Sequence, residues 1–250
     1  MASFNSLRWS LKGMNALVVG VGGNKGIGYT MAEELAGLGA TVQYACSSDQ
    51  APFYERNQEW ESKGVKVTGS VFDLKSTTQR ENLMNTFSSA FDGKLNILVK
   101  KNLEFPSIMR TWAIKSSMRN TIVDYPYRLS LLAYPLLKAS GNASVVFLAS
   151  FADLKAEPEL SAFAETSSAV TQNSQKLAWK WAKDNIRTNT PNEISSLVTF
   201  LCLPAASYIN GKEFYIDGQQ TVCDPVGMWN QGWPGNSTSI HLLWQMARAR

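Results

Sequence analysis

An α/β fold on a doubly wound parallel sheet of about seven strands is predicted by three features of this 250-residue chain. A glycine-rich stretch joins an apolar run to a helical pattern, short β-rich runs alternate with helix-length segments, and composition is that of an ordinary globular domain. Apolar residues make up 44% and charged residues 18%, enough for one domain with a sizeable core. Formal net charge is +4, with the basic residues scattered along the chain. That distribution indicates no nucleic-acid partner. No segment approaches about 18 to 20 uninterrupted apolar residues, and the opening MASFNSLRWSLKG lacks an apolar export core, so no membrane partner is expected. Cys46, Cys202 and Cys223 are odd in number and share no metal-ligand spacing. No disulfide framework and no metal site is expected, and a cytoplasmic location fits.

The elements follow in order. NALVVGV (15–21) reads as a buried strand, and Ile27, Met31, Leu35 and Leu38 then fall on one helical face until Gly39 stops it. TVQYAC (41–46), VKVTGSV (65–71), LNILV (95–99) and SVVFLAS (144–150) read as further strands separated by helices. A long helix near 161–184, a strand at NIRTNT, a helix over Ile194, Leu197, Val198 and Leu201, and a last strand KEFYI complete the pattern. Alternation of this kind demands right-handed crossovers and hence a parallel sheet, the Rossmann arrangement. Residues 1–223 are expected to form this single domain, and 224–250, rich in Gly, Trp and Asn, a disordered C-terminal tail.

The stretch VVGVGGNKGIGYT (18–30) lies between the first strand and the first helix. Gly22, Gly26 and Gly28 give GxxxGxG, in which small residues let the backbone turn tightly and let a pyrophosphate approach the helix N-terminal amides. The chemistry that suits this cradle is an anion.

Several phrases occur in order: ALVVGVGGNKGIG, EELAGLGA, FDGKLNILV, YPLLKASGNASVVFLAS, WAKDNIR and FLCLPAASYINGKEFYIDG. In these the chain resembles the short-chain dehydrogenases/reductases, and within them the plant tropinone-reductase-like group, over roughly residues 8–221. The resemblance implies the single-domain Rossmann fold, NADP(H) as cofactor and a small ketone as substrate. The cofactor positions it implies are Gly22, Lys25, Gly26, Ile27, Gly28 and the adenine-side Asp73.

The family active site uses a Ser, a YxxxK pair and an Asn. The Tyr hydroxyl protonates the developing alkoxide, the Lys lowers that hydroxyl's pKa and grips the ribose, and the Ser orients the carbonyl. Ser150 matches the serine. The tyrosine position is Phe163 and the lysine position, on the same helical face, is Ser167. Phe163 has no proton to give, and Ser167 has neither the charge nor the reach of lysine. Loss of a general acid alone removes about 10² to 10⁴ in rate, and residues acting as a unit fail together. Ile122 stands at the asparagine position, with Asn120 two residues away.

Cofactor grip is reduced as well. The family NNAG turn reads Lys100, Lys101, Asn102, Leu103, and Ser48 stands where a 2′-phosphate-binding Arg is common. The glycine loop carries a two-residue insertion before Gly22. A substrate lid of some forty residues in the family is absent, since IRTNT runs directly into PNEISSLVTFLCLP; Pro191 suits a helix start there. Without a lid the site cannot exclude water over a hydride transfer.

Other residues are read plainly. Lys100 and Lys101 could draw an anion to the strand ends, although adjacent lysines at a sheet edge are commonly solvated. Tyr125 and Tyr127 are candidate substitute acids, more commonly core or interface. Trp179 and Trp181 point to different sides of their helix, and the resemblance places an oligomer interface there. His241 is assigned no role, and the sequons at Asn142 and Asn236 matter only in a secreted protein.

Three readings compete. The leading one is a catalytically deficient relative that binds NADP(H) weakly or not at all and forms a homo-oligomer or partners an active paralogue. The second is an active NADPH-dependent ketone reductase using substitute groups around Ser150. The third is a poorly folded product of lid loss.

Overall fold

Strand β1 (Asn15–Val19) sits at the centre of a parallel sheet, pairing β2 (Thr41–Cys46) on one side and β4 (Ile97–Lys100) on the other. With β3 (Val67–Val71), β5 (Ala143–Phe147), β6 (Ile186–Asn192) and β7 (Glu213–Tyr215), the order is β3-β2-β1-β4-β5-β6-β7. This is the doubly wound arrangement expected from the alternation. The computed structural model describes residues 8–20, 27–46, 57–73, 76–101, 119–148, 161–192 and 195–215. Readings placed on Gly22, Lys25, Gly26, Ser48, Leu103, Ser150, Cys223, Asn236, His241 and the 224–250 tail lie outside these residues, as does the side chain of Phe163.

Helix α1 (Ile27–Gly37) buries Met31 and Leu35, which the 3.6-residue period sets on one face. Gly39 ends it with φ +100°, a left-handed conformation that costs glycine little, while the Gly39 and Ala40 amides close the last turn on Ala36 and Leu35. Helix α2 (Thr77–Ala90) starts at Ser76, whose hydroxyl accepts from the Gln79 amide. Helix α3 (Tyr125–Ala139) continues a π-helical turn at Arg119–Asp124; α4 (Ser161–Trp181) and α5 (Ser195–Cys202) follow.

Two cores fill the two faces of the sheet. One packs Leu17, Leu98 and Val145 against Phe87 of α2, Leu129 of α3 and Trp181 of α4. The other packs Val18, Val42 and Val99 against Leu35 of α1, Trp60 and Leu201 of α5. Trp181 is buried and Trp179 is 86% exposed, as two residues about 200° apart on a helix should be. Cys46 and Cys202 are buried and not joined in a disulfide. Among the described residues no helix is long and apolar enough to cross a membrane.

Two expectations are corrected. Pro191 does not open a helix: it lies within β6, in register with Phe214 of β7, and α5 begins at Ser195. Proline is tolerated there because β6 is close to its C-terminal end and β7 is only three residues long. Lys100 is not at a sheet edge either. Central β4 pairs on both sides, and Lys100 is fully buried because it shares the inward face of Leu98 two residues earlier.

The junction from β6 to α5 is held by Glu34 of α1. Its carboxylate accepts from the Ser195 hydroxyl at 2.7 Å and the Thr199 hydroxyl at 3.0 Å, one oxygen each. A carboxylate at the first turn of α5 also suits the helix dipole. Beyond α5, Arg187 of β6 is buried and donates to the carbonyls of Leu201, Leu203 and Ala206. Each carbonyl also accepts from a second donor: the Ser144 hydroxyl on Leu201, the Ala206 amide on Leu203 and the Ile209 amide on Ala206.

Candidate nucleotide crevice

In a doubly wound sheet, ligands bind outside the carboxyl ends of the strands where the winding reverses. Here that point is between β1 and β4. Val19 and Lys100, the last residues of the two strands, are in register, and the Lys101 amide donates to the Val19 carbonyl at 2.8 Å.

Gly20 follows β1, and its amide donates to Ala45 of β2. A Cβ on Gly20 would meet the Tyr44 hydroxyl at 2.9 Å. Gly28, the second residue of α1, has room for a Cβ only at ordinary contact distance: 3.4 Å from Tyr44 and 3.5 Å from the Gly20 Cα. Gly20 thus lets the strand end pass close to the Tyr44 ring, whereas a side chain at Gly28 would make only ordinary contacts. Tyr44 packs edge-on to Trp60 at 5.7 Å, and Trp60 stacks on Tyr29 at 5.0 Å. Neither Gly20 nor Tyr44 is among the sequence-predicted site residues; the two-residue insertion shifts the glycine reading to Gly22. The available signal for Gly20 was its place directly after the strand.

The other predicted residues are found as follows. Ile27 is the first residue of α1, partly buried against the core, so its part in a ligand site is confined to its backbone. Asp73 is exposed just beyond β3. Ser167 is wholly buried on α4. Ile122 is buried in the π-helical turn and belongs to the core, whereas Asn120 is exposed. Tyr125 is buried, its hydroxyl has no hydrogen-bond partner, and burial pushes its pKa above the usual phenol value. Tyr127 is half-buried.

Lys100 is the largest departure from expectation. Its Nζ donates to the Pro126 carbonyl at 3.0 Å and to the Ser130 hydroxyl, and lies 3.2 Å from the centre of the Phe147 ring. Burial holds its pKa well below the usual lysine value.

Among the described residues, Gly20 and Gly28 flank the β1–α1 connection and Asp73 follows β3, while Ile122 and Ser167 are buried.

Fold and crevice define an α/β nucleotide-binding class of protein. Residues 15–192 match the short chain dehydrogenase family. The tropinone reductase homolog of Datura stramonium is 41% identical over 256 residues, covering 86% of this chain and 94% of that protein. Senescence-associated protein 13 of Arabidopsis thaliana is 42% identical, with coverage of 86% and 93%. Among solved structures, a dehydrogenase/reductase from Sinorhizobium meliloti superposes with TM-score 0.77 at 20% identity, over 85% of this chain and 97% of that one. The Pseudomonas aeruginosa RhlG/NADP complex gives 0.76 at 21%, over 86% and 99%. The chain therefore belongs to the short-chain dehydrogenase/reductase family, in its tropinone-reductase-like group. The match to the Datura relative is 256 positions long, more than the whole of this 250-residue chain, yet takes in only 86% of it. That relative thus carries positions with no counterpart here, as a missing segment requires.

Proposed function

We propose that this chain is a tropinone-reductase-like short-chain oxidoreductase relative that keeps a nucleotide-holding crevice but not the groups that transfer hydride. NADP(H) then binds weakly, and ketones are not reduced at an appreciable rate. The observation that carries this reading is the pair Phe163 and Ser167 at the Tyr and Lys positions, with Ser167 wholly buried. A bound nicotinamide dinucleotide supplies the hydride in this family. In this chain the residues proposed to hold it are the glycine loop with Gly22, Lys25, Gly26 and Gly28, and Asp73, which is exposed just beyond β3. The alternative, an active NADPH-dependent ketone reductase with substitute groups around Ser150, draws no support from Tyr125, since a buried hydroxyl with a raised pKa is a poorer acid.

The experiment is a rescue. Phe163→Tyr with Ser167→Lys restores the acid and its activator on one helix, yet is expected to leave turnover near background, because water is not excluded. Adding a family lid between Asn192 and Ser195 should be the minimum change that yields measurable NADPH oxidation with a small cyclic ketone. Turnover by the unaltered chain overturns the proposal. Turnover by the double substitution alone shows that the lid is dispensable.

Self-association, or pairing with an active paralogue, belongs to the same proposal. Leu131 on α3 and Trp179 on α4 are large apolar groups left exposed on the two helices concerned. Light scattering should show a dimer or larger species, and a clean monomer removes this part of the reading. A cytosolic setting, also proposed, agrees with Cys46 and Cys202 forming no disulfide.

A further inference from the structure

Asn210 and Gly211 are the chain's only Asn–Gly pair, and they lie in the segment that leads into edge strand β7. The structure requires each of them separately. Gly211 has φ +65°, in the left-handed region that favours glycine, and a Cβ there would stand 3.2 Å from the Ala178 Cβ of α4. Asn210, half-buried, clamps β6 to α4: its Oδ1 accepts from the Thr188 amide at 2.8 Å and its Nδ2 donates to the Ala178 carbonyl at 3.3 Å. Asn189 of β6 answers it, donating to the Ile209 carbonyl and accepting from the Lys212 amide.

The same two residues form a reactive pair. An asparagine side chain brings its Cγ within reach of the next residue's amide nitrogen, and a glycine there has no side chain to hinder attack, which is one source of the thermal lability of asparagine. In the folded chain both reactants are held. The Gly211 amide donates to the Thr188 carbonyl at 2.8 Å, Thr188 is wholly buried, and the carboxamide is fixed at both of its ends. Strand β7 pairs with β6 alone, over three residues. Segments of this kind open at a lower cost than the domain unfolds.

We propose that Asn210–Gly211 is a modification site gated by this edge: inert while Thr188 and Ala178 hold it, and deamidated once β7 and the segment before it detach. The Gly211 amide nitrogen, its proton lost to solvent, attacks Asn210 Cγ. The N–Cγ bond forms, the Cγ–Nδ2 bond breaks, and Nδ2 leaves as ammonia. Water then opens the cyclic imide. Cleavage of the new N–Cγ bond leaves aspartate and cleavage of the original peptide bond leaves isoaspartate, with no change of oxidation state in either. Neither product restores the clamp. Aspartate turns an acceptor toward the Ala178 carbonyl where a donor stood, and isoaspartate adds a methylene to the main chain ahead of the Thr190–Glu213 register. The edge, once converted, closes less well than before.

The test follows the full chain at mildly alkaline pH, folded and in urea, in water enriched in oxygen-18. Peptide mass spectrometry reads label uptake at Asn210, and a protein isoaspartyl methyltransferase reads isoaspartate. Three hydrogen bonds hold the reactants, and at ordinary worth they correspond to conversion slowed about a hundredfold in the folded chain relative to urea. Asn189→Ala should speed conversion of the folded chain about tenfold and leave the rate in urea unchanged. Asn210→Asp should lower the urea midpoint and hasten hydrogen exchange in β7. Equal rates folded and in urea, or no conversion at Asn210 in urea, overturn the proposal, and neither observation needs a variant to fold. A folded Asn189→Ala chain that converts no faster than the wild type overturns the gate. An Asn210→Asp chain with the wild-type urea midpoint and exchange overturns the consequence for the edge.

Discussion

The two halves of one sheet treat their strand ends in opposite ways. Around β1, β2 and α1 the ends are managed with small and aromatic groups: Gly20 and Gly28 close on the Tyr44 ring, with Trp60 behind it. From β4 to β7 they are managed with buried or half-buried charge: Lys100 against α3, Arg187 against the end of α5, and Glu34 across to its start. The first half is held by close packing of small and aromatic groups. In the second the charges are engaged in structure. One sheet can thus secure its strand ends by shape on one side and by buried polar contacts on the other.

The largest test of this contrast is Arg187. Its guanidinium pairs with no acid but with three helix-end carbonyls, and burial lowers its pKa from the usual arginine value. Arg187→Met removes three hydrogen bonds from a charged donor, while each carbonyl keeps another donor: Ser144 on Leu201, the Ala206 amide on Leu203 and the Ile209 amide on Ala206. Hydrogen bonds from charged groups contribute about 1.5 to 3 kcal/mol each, less than additively here because they share one donor. Denaturant unfolding should show a loss of about 3 kcal/mol. A loss near zero would mean that the remaining donors suffice and that the second half is not held by buried charge.

How much of this was legible follows from the same residues. The strands and α1 could be read because alternation and the 3.6-residue period are local, and Leu35, Met31 and Trp181 sit where those periods place them. Lys100 was misread because two adjacent lysines suggest solvent. The correcting signal was present, since Leu98 and Lys100 must share a face and Leu98 lies in the core. Pro191 was misread because the helix-start preference of proline competed with an end-strand position that only pairing with Phe214 reveals. Arg187 and Glu34 were not legible as partners, since their contacts join distant elements whose approach depends on the whole packing. Gly20 was hidden by the insertion that follows it.

In the first half the corresponding test is Gly20→Ala. Its new methyl would stand 2.9 Å from the Tyr44 hydroxyl and 3.3 Å from a ring carbon. Overpacking of this kind costs about 1 to 3 kcal/mol. Because the closest atom is the hydroxyl, Tyr44→Phe should recover part of the loss when combined with Gly20→Ala, although not when made alone. A double-mutant cycle on urea midpoints reads the coupling. Strict additivity would show that Tyr44 does not fill the space the glycines leave.

Glu34→Ala removes the acceptor for Ser195 and Thr199 at the start of α5. Ser195 is half-buried and its hydroxyl can turn to water, whereas Thr199 is buried, so the expected loss is smaller, about 1 to 2 kcal/mol. Hydrogen exchange should locate it, with faster exchange in α5 and no change in α2. Uniform change across both helices would mean that Glu34 supports the domain as a whole and not the shortened junction.

The smallest effect at neutral pH, and the one that joins the two halves, concerns Lys100. Its folded pKa is depressed relative to the unfolded chain, so the unfolded state binds the extra proton between the two values, and stability must rise with pH across that range, by at most about 1.4 kcal/mol per pH unit. Cys202 acts oppositely at higher pH. Burial pushes its thiol up to about 12, so the unfolded chain ionises first and stability falls above the usual thiol range near 9. Tyr125, likewise raised by burial, reinforces that fall above its usual phenol range. The rising limb should therefore be seen only below about pH 9. Lys100→Met removes the limb and leaves the fall, and at the acid end it should be slightly more stable than the wild type, because Ser130 still satisfies Pro126 once the amine is gone. Urea midpoints at intervals from pH 6 to 10 decide it. A wild-type curve that is flat below pH 9, or a variant that keeps the slope, would mean that the amine stays charged in the folded chain, and the end of β4 would not differ from the first half by carrying a neutral buried amine.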